Sequence, residues 1–574
     1  MPRNQVVQPS LETVRQVLSA EINTPNPPNL VPLCTSISAE FLTPSSIYLK
    51  VSAKSESKLS FLFESAPTTE TIGRYSFIGA DPRKVIKTGP GHGAEADPLP
   101  ILQQELSQCR EAQIPGLTLP PLTGGAIGYV GYDCVRYFEP TTRAGMKDEK
   151  DILKVPESFF MLFDTIVAVD HFSQTVKVIT YLKVPQVLDD LEKAYEDGKG
   201  VLQRMVDLLQ NEDVPLPKQP PIAPKQQYTS NIGQAGYEKH VRTLKEHITQ
   251  GNIIQCVPSQ RFRRPTSLHP FNIYRHLRTV NPSPYLFFVD CETFQIVGAS
   301  PELLVKAESG RVITHPIAGT VKRGKTLEED ETLAEALRSS LKDRAEHVML
   351  VDLARNDINR VSEPLSTRVD RLMVVQKFSH VQHLVSEVSG VLRSGQTRFD
   401  AFRSVFPAGT VSGAPKVRAM RLIAELEKEK RGVYAGAVGY FGYNSVKQGV
   451  QTEGAMDTCI ALRTMVVKDG AAYLQAGGGI VFDSDPYDEW METINKLGAS
   501  MQCIASAEEK HLQDPRQGAD PEHQDGNGSR EAVEGQELGV PSESKDRGGL
   551  DAVLRDAEHQ PPAGQAAHIE LAAG

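Results

Sequence analysis

Three acidic residues and a lysine stand at spacings that could either hold a divalent cation or face solvent. In KDRAEHVMLVDLARND, Lys342 to Asp357, apolar positions at Val348, Met349, Val351 and Leu353 and the absence of a breaker predict a helix with Glu346 near its start. In DEWMETINK, Asp488 to Lys496, Glu489 and Glu492 are three apart and Lys496 lies four further on, so all three share one helical face. That spacing is the ordinary pattern of a solvated face. Its alternative is a hard-cation site, because Mg²⁺ takes few carboxylates, keeps several waters and bridges to an anionic substrate. Three glycine-containing segments, AGT (Ala318 to Thr320), GTVSGAP (Gly409 to Pro415) and AGGG (Ala476 to Gly479), could bring backbone N–H groups close to an anion, or could be tight turns. A nucleotide does not match: GTVSGAPK lacks the Gly-Lys-[Ser/Thr] ending of a phosphate loop, and AGGG is not G-x-G-x-x-G.

The elements that must position these groups alternate between strand and helix. SIYLKV, SKLSFLFES, RYSFIGA, GGAIGYVGYD, FFMLFDTIVAVD and TVKVITYL carry the β-branched and aromatic content of strands. LDDLEKAYEDGKGVLQRMVDLLQ has a helical period, as does GYEKHVRTLKEHITQGN. Strands return at IIQCVPSQRFRR, YLFFVDC, FQIVGAS and RVITHPIAG, then over 434–442, 458–467 and 471–475. The prolines of NEDVPLPKQPPIAPKQQ favour an extended linker. The resulting division is a flexible arm at 1–30, an N-terminal lobe at 31–210, a linker at 211–232, a catalytic lobe at 233–505 and a tail at 506–574.

Charge sharpens the last boundary. The net charge is −10, yet Ser506 to Gly574 alone holds 15 acidic and 6 basic residues and no aromatic, so the acidity belongs to a segment too polar to offset its ordering entropy. Seven scattered cysteines without a Cys-x-x-Cys spacing suggest reduced thiols rather than a disulfide framework or a zinc site. No apolar run reaches the roughly 18 residues a membrane span needs, and the N-terminus lacks a signal-peptide core or a basic transit-peptide character. A soluble, cytoplasmic protein without nucleic-acid or membrane partners is the expectation.

GASPELL (Gly298 to Leu304), PIAGT (Pro316 to Thr320), HLVSEVSG (His383 to Gly390), FPAGTVSGAPK (Phe406 to Lys416) and QAGGGIVFDSDPYDEWMETINK (Gln475 to Lys496), with the Glu346 helix, resemble the chorismate-utilising enzymes. The closest resemblance is to the large subunits that make anthranilate. It is dense over residues 233–503 and looser over 31–210. It implies an α/β (α+β) fold, layered and β-sandwich-like with surrounding helices, in which a regulatory N-terminal lobe is intertwined with a catalytic one. It also implies Mg²⁺ on Glu346 and Glu492, with Glu489 a further acid, and a chorismate pocket of Gly319, Thr320, Tyr434, Arg463, Gly477, Gly478, Gly479 and Lys496. Glu302 matches the general acid that protonates the leaving hydroxyl, a role that requires a raised pKa and a desolvated pocket. His383 matches the catalytic histidine, and Thr410 is a secondary candidate.

Two positions narrow the reaction by resemblance. Aminodeoxychorismate-forming relatives carry a nucleophilic lysine where Ala318 stands, and isochorismate-forming relatives carry a lysine base where Gln255 stands. Both departures imply ammonia as the nucleophile, giving anthranilate and pyruvate. No cysteine lies in a Gly-x-Cys-x-Gly motif, so a partner glutamine amidotransferase subunit is implied. FLFESA and NPSPYLFF resemble the family's tryptophan inhibitor site, which implies Glu64, Ser65, Pro284, Tyr285 and Leu286 as contacts. The rival readings are isochorismate or aminodeoxychorismate formation, opposed by those two positions, and a non-catalytic regulatory protein that binds chorismate or tryptophan.

Overall fold

Strands from both halves of the chain interleave in two large sheets, of fourteen and ten strands, in a computed structural model that describes residues 6–65, 73–378 and 381–513. Pairing is antiparallel almost throughout; the short strand Arg110–Ala112 runs parallel to both its neighbours, Leu30–Ser38 and Asn444–Lys447. In the larger sheet Ser60–Glu64 pairs with Tyr285–Asp290, and in the smaller Gly125–Val130 pairs with Ala437–Gly442. Neither half therefore completes a sheet alone.

Apolar side chains fill three layers. Phe61, Phe287 and Ile296 of the larger sheet meet Ile127, Phe159 and Val438 of the smaller, so the sheets pack face to face. Leu202, Leu277 and Leu497 bring helices onto the outer face of the larger sheet. Ile358, Phe402 and Met420 do the same for the smaller. Burial on both faces explains why strands such as Ser158–Phe163 read as unbroken apolar runs instead of alternating ones. The layered α/β architecture expected from the sequence is the one observed.

Several expectations need correction. The arm is not loose: Leu11–Glu21 is a helix capped by Ser10, with Val14 and Leu18 at 0% and 3% exposure in the core. SIYLKV is not a strand but the centre of the helix Pro44–Ala53. Thr43 and Ser46 form a reciprocal capping box, with hydrogen bonds of 3.1 and 2.9 Å, and Pro44 sits where its missing N–H costs nothing. The run 458–467 is two strands, Met456–Ile460 and Thr464–Lys468, parted by a turn in which Arg463 has φ +50°. FFMLFDTIVAVD likewise divides, into Ser158–Phe163 and Thr165–Asp170. The linker ends early, since Thr229–Ser230 already pairs with Phe262 and Arg263.

The tail also begins later than its composition suggests. The helix Pro486–Gln513 carries Ala507 and Glu508 into the core, where Arg264 donates two hydrogen bonds to the Glu508 carboxylate at 2.8 and 2.7 Å. By compactness the chain divides into units of residues 1–509 and 510–574. In the second, residues 510–513 form helix, and the remainder of the expected tail lies outside the described residues. All seven cysteines are buried free thiols. Among the described residues no helix is long and apolar enough to cross a membrane.

Candidate active site

A β-bulge builds the first wall. Ile317–Lys322 pairs with Val381–Val391, and the register slips between Ala318 and Thr320, where Gly319 takes φ +70°. A Cβ there would be strained and would lie 3.1 Å from Asp343 Oδ1. The slip sets Thr320 opposite His383, whose Nδ1 lies 3.0 Å from the Gly319 carbonyl and 3.1 Å from Thr320 Oγ1. A carbonyl only accepts, so Nδ1 carries the proton and Nε2 keeps a lone pair. Burial pushes this imidazole down to about 4, which keeps it neutral, and the Phe378 ring meets it edge-on at 5.3 Å.

Glu302 follows the strand Gln295–Ser300 and is 6% exposed. Thr410, in the short turn Gly409–Val411, donates to Glu302 Oε1 at 3.0 Å, and the Ile317 N–H supplies a second bond. Burial pushes the carboxyl up to about 8, against the opposing pull of Thr410, Ile317 and Lys496. Glu302 is thus a buried carboxyl hydrogen-bonded by Thr410, the desolvated environment that the expected acid role requires.

The three glycines that end and follow the strand Ala471–Gly477 form the second wall, and each is held by close neighbours. A Cβ would lie 2.3 Å from the Pro258 carbonyl at Gly477, 2.7 Å from Glu489 Oε2 at Gly478 and 2.5 Å from Gln255 Nε2 at Gly479. Lys496 Nζ donates to the Gly477 carbonyl at 2.9 Å, and the Gly477 N–H bonds the Tyr434 hydroxyl. Arg463 donates to the Lys496 carbonyl. Gln255, on a short strand paired with Gly413–Ala414, leaves its Oε1 buried without a partner among the described residues.

Glu346 sits on the helix Leu341–Asn359, and Glu489 and Glu492 open the helix Pro486–Gln513. Burial raises the Glu346 carboxyl, and Asp343, Glu492 and Asp483 raise it further. Burial pushes Glu489 up to about 7, aided by the Glu492 charge, although Ser484 donates to its Oε1 at 2.6 Å. Glu489 Oε2 is buried and has no partner among the described residues, and Glu492 is bound to Lys496 at 2.6 Å. Mutually repelling carboxylates and an orphaned acceptor fit a cation. Among the described residues no three acidic, histidine or cysteine side chains converge tightly enough to cage one by themselves.

Sequence reasoning did not anticipate two further residues. The Tyr237 hydroxyl accepts the Gly478 N–H at 3.0 Å. Arg431, fully buried, donates to the carbonyls of Val257 at 2.7 Å and Val411 at 2.9 Å while lying over the Tyr434 ring. It ties together the Gln255, Thr410 and Tyr434 segments. Tyr237 reaches Gly478 across 241 positions, and although Arg431 forms a local i, i+4 pair with Glu427 at 2.6 Å, its ties to Val257 and Val411 run through backbone carbonyls that no side-chain spacing marks.

A cavity of about 490 Å³ is lined by Glu64, Ser65, Pro284, Tyr285 and Leu286, together with Phe63 and Asp457, and it reaches the active-site wall at Ile317 and Phe378. Glu64 is already engaged there, accepting from the Tyr274 hydroxyl at 2.6 Å and from Arg278 at 2.9 Å. Ala66, the last residue of FLFESA, lies outside the described residues.

Comparison with known proteins agrees with this geometry. Residues 58–502 match the chorismate binding enzyme family model. Anthranilate synthase component 1 of Saccharomyces cerevisiae is 58% identical over 509 residues, 88% of this chain and 97% of that protein. The probable anthranilate synthase component 1 of Schizosaccharomyces pombe is 53% identical over 491 residues, 86% and 96% of the two chains. Among solved structures, anthranilate synthase component I from Streptococcus pneumoniae superposes with a TM-score of 0.64 at 38% identity, covering 75% of this chain and 92% of that one.

Proposed function

The chain belongs to the chorismate-binding enzyme family, and from that membership we propose that it converts chorismate and ammonia to anthranilate and pyruvate. The observation that carries this reading is Glu302, a buried acid still protonated near neutral pH, in a site where neither Gln255 nor Ala318 offers an amine. Glu302 gives its proton to the departing C4 hydroxyl, which leaves as water, while the ammonia lone pair forms the bond to C2. The new ammonium then loses a proton, which restores the acid. In the second half, the neutral Nε2 of His383 is suited to take the C2 proton as the C3–O bond breaks. Pyruvate leaves once its enol is protonated, and the ring becomes aromatic.

Chorismate carries two carboxylates. Arg463 and Lys496 supply donors of the right sign, with Thr320 and Tyr434 adding hydroxyls, while the Gly477 and Gly478 N–H groups are already bonded to Tyr434 and Tyr237. We assign Mg²⁺ to Glu346 and Glu492, with Glu489 beside them; when bound, the ion would neutralise a substrate carboxylate and draw charge from the ring. Ammonia is proposed to come from glutamine through a partner amidotransferase subunit, since this chain has no cysteine in a glutaminase motif. The 490 Å³ cavity is proposed to take L-tryptophan as a feedback inhibitor, and the enzyme to work in the cytoplasm.

The test is anthranilate fluorescence from the purified chain given chorismate, MgCl₂ and an ammonium salt at mildly alkaline pH, with pyruvate followed in parallel. Equal appearance of both products, abolished by EDTA, is expected. Chorismate loss without anthranilate would instead favour isochorismate or aminodeoxychorismate formation. Full activity at saturating tryptophan would remove the inhibitor assignment alone.

A further inference from the structure

One buried ion pair touches several parts of the site at once. Glu427 ends the helix Lys416–Glu427, Arg431 stands four residues further on, and their side chains are 6% and 1% exposed. Arg431 Nε and Nη2 donate to the two Glu427 oxygens at 2.9 and 2.6 Å, the fork geometry that suits a guanidinium. The same guanidinium reaches further, with Nη1 donating to the Val411 carbonyl at 2.9 Å and Nη2 to the Val257 carbonyl at 2.7 Å. Val411 closes the turn Gly409–Val411, which carries Thr410, and the Thr410 hydroxyl bonds Glu302 at 3.0 Å. Glu427 Oε1 meanwhile accepts from the Ser259 N–H at 2.7 Å and from the Ser259 hydroxyl at 2.9 Å, and Ser259 is the residue paired with Gly477. The guanidinium also lies 5.5 Å over the ring of Tyr434, whose hydroxyl takes the Gly477 N–H.

We propose that Glu427 and Arg431 are a positioning pair, which fixes the Thr410 turn that orients the general acid relative to the Gly477 wall of the chorismate pocket. Two apolar side chains of the same volume would fill this space as well as a buried ion pair does. A fork that occupies both carboxylate oxygens and still bonds two carbonyls does something they could not, because it specifies where separate backbone segments lie. Thr410, the Ile317 N–H and Lys496 act on Glu302, and His315 and Asp357 line the small cavity beside it. Arg431 is not among the groups that act directly on Glu302, so its reach to the acid is through the turn. On the guanidinium itself act Glu427, Tyr132 and Tyr434; Glu149 feels its charge, and Asp133 accepts the Arg431 backbone N–H at 3.1 Å.

This inference rests on Glu302 acting as the acid on chorismate, and the experiment separates the two claims. R431K keeps the charge and loses the fork, which releases the Thr410 turn. Its kcat/KM for chorismate should fall about 10²-fold. The alkaline limb of kcat/KM, which reports the acid in the free enzyme, should rise by the same fraction of a pH unit as in T410V, because the hydroxyl no longer favours the ionised form. R431K/T410V should show no further rise. A purely structural role would lower the melting temperature and leave the limb where it is. E427D keeps the charge, shortens its reach by one methylene and makes the same comparison if R431K does not fold. S259A tests the other arm with both charges in place: the KM for chorismate should rise severalfold while the limb stays unmoved. An unmoved limb in R431K or E427D, or shifts that add when T410V is combined with either, would overturn the link to Thr410, and an unchanged KM in S259A would overturn the link to Gly477. Full activity in E302Q would instead remove the acid assignment itself, whatever the pair does.

Discussion

Glu302 and His383 show how one kind of burial sets two opposite protonation states. Loss of water disfavours charge, so the carboxyl moves up to about 8 and the imidazole down to about 4. Both are neutral at pH 7, one ready to give a proton and the other to accept one. E302Q keeps the shape and removes the proton, so kcat should fall about 10²- to 10⁴-fold while the KM for chorismate changes little. The Thr410 hydroxyl bond stabilises the ionised form. T410V should therefore raise the pKa of Glu302 and move the alkaline limb of kcat/KM upward by a fraction of a unit; a downward move would contradict this reading. The identities of these residues were legible in their motifs. The hydrogen bond between them was not, because Thr410 and Glu302 are 108 positions apart in the chain.

At the scale of the element, the helix Pro486–Gln513 delivers Glu489, Glu492 and Lys496 at its start and is anchored near its end by Glu508. Arg264 and Glu508 are each 2% exposed, their two hydrogen bonds lie in a fork geometry, and Thr266 adds a third at 2.7 Å. Removing one partner leaves a buried charge unmatched. E508A should cost about 3–5 kcal/mol in denaturant unfolding, and truncation after Ala505 should cost at least as much. An unchanged midpoint would mean that the anchor is dispensable. The helix start was readable from the i, i+3 and i+7 acids and lysine. The anchor was hidden because composition alone assigned Glu508 to an acidic tail. A similar reason explains SIYLKV, whose β-branched and aromatic residues favour strand, while the Thr43 to Ser46 capping box and Pro44 start a helix that packs Ile47 and Tyr48 into the core.

For the molecule as a whole, buried acids with raised pKa values make stability depend on pH in a definite direction. Glu302 at about 8, Glu149 at about 9, Glu111 and Glu489 at about 7, and Asp290 and Asp457 at about 6 all hold protons more tightly folded than unfolded. Their contribution is complete below the unfolded value near 4 and is lost as pH rises through the folded values. For Asp290 and Asp457 that loss is complete near pH 6, so the drop of several degrees in melting temperature expected between pH 6 and pH 9 comes from the four glutamates; a flat or rising profile would show that these carboxyls ionise freely in the native state. Two sheets that neither half of the chain can complete explain why so many acids become enclosed. The sequence by itself determined which residue types were available, the glycine loops, the acids three apart and the residues Ala318 and Gln255, and its resemblance to the chorismate-utilising enzymes is what gave them a chemical meaning. It also determined most helices and strands, because their periodicity is local. Tertiary structure alone decided which segments meet. The bulge at Gly319, the Arg431 tie and the cavity at Glu64 and Tyr285 all depend on contacts between residues far apart in the chain. No local pattern encodes such contacts; the packing of the two sheets and their helices creates them.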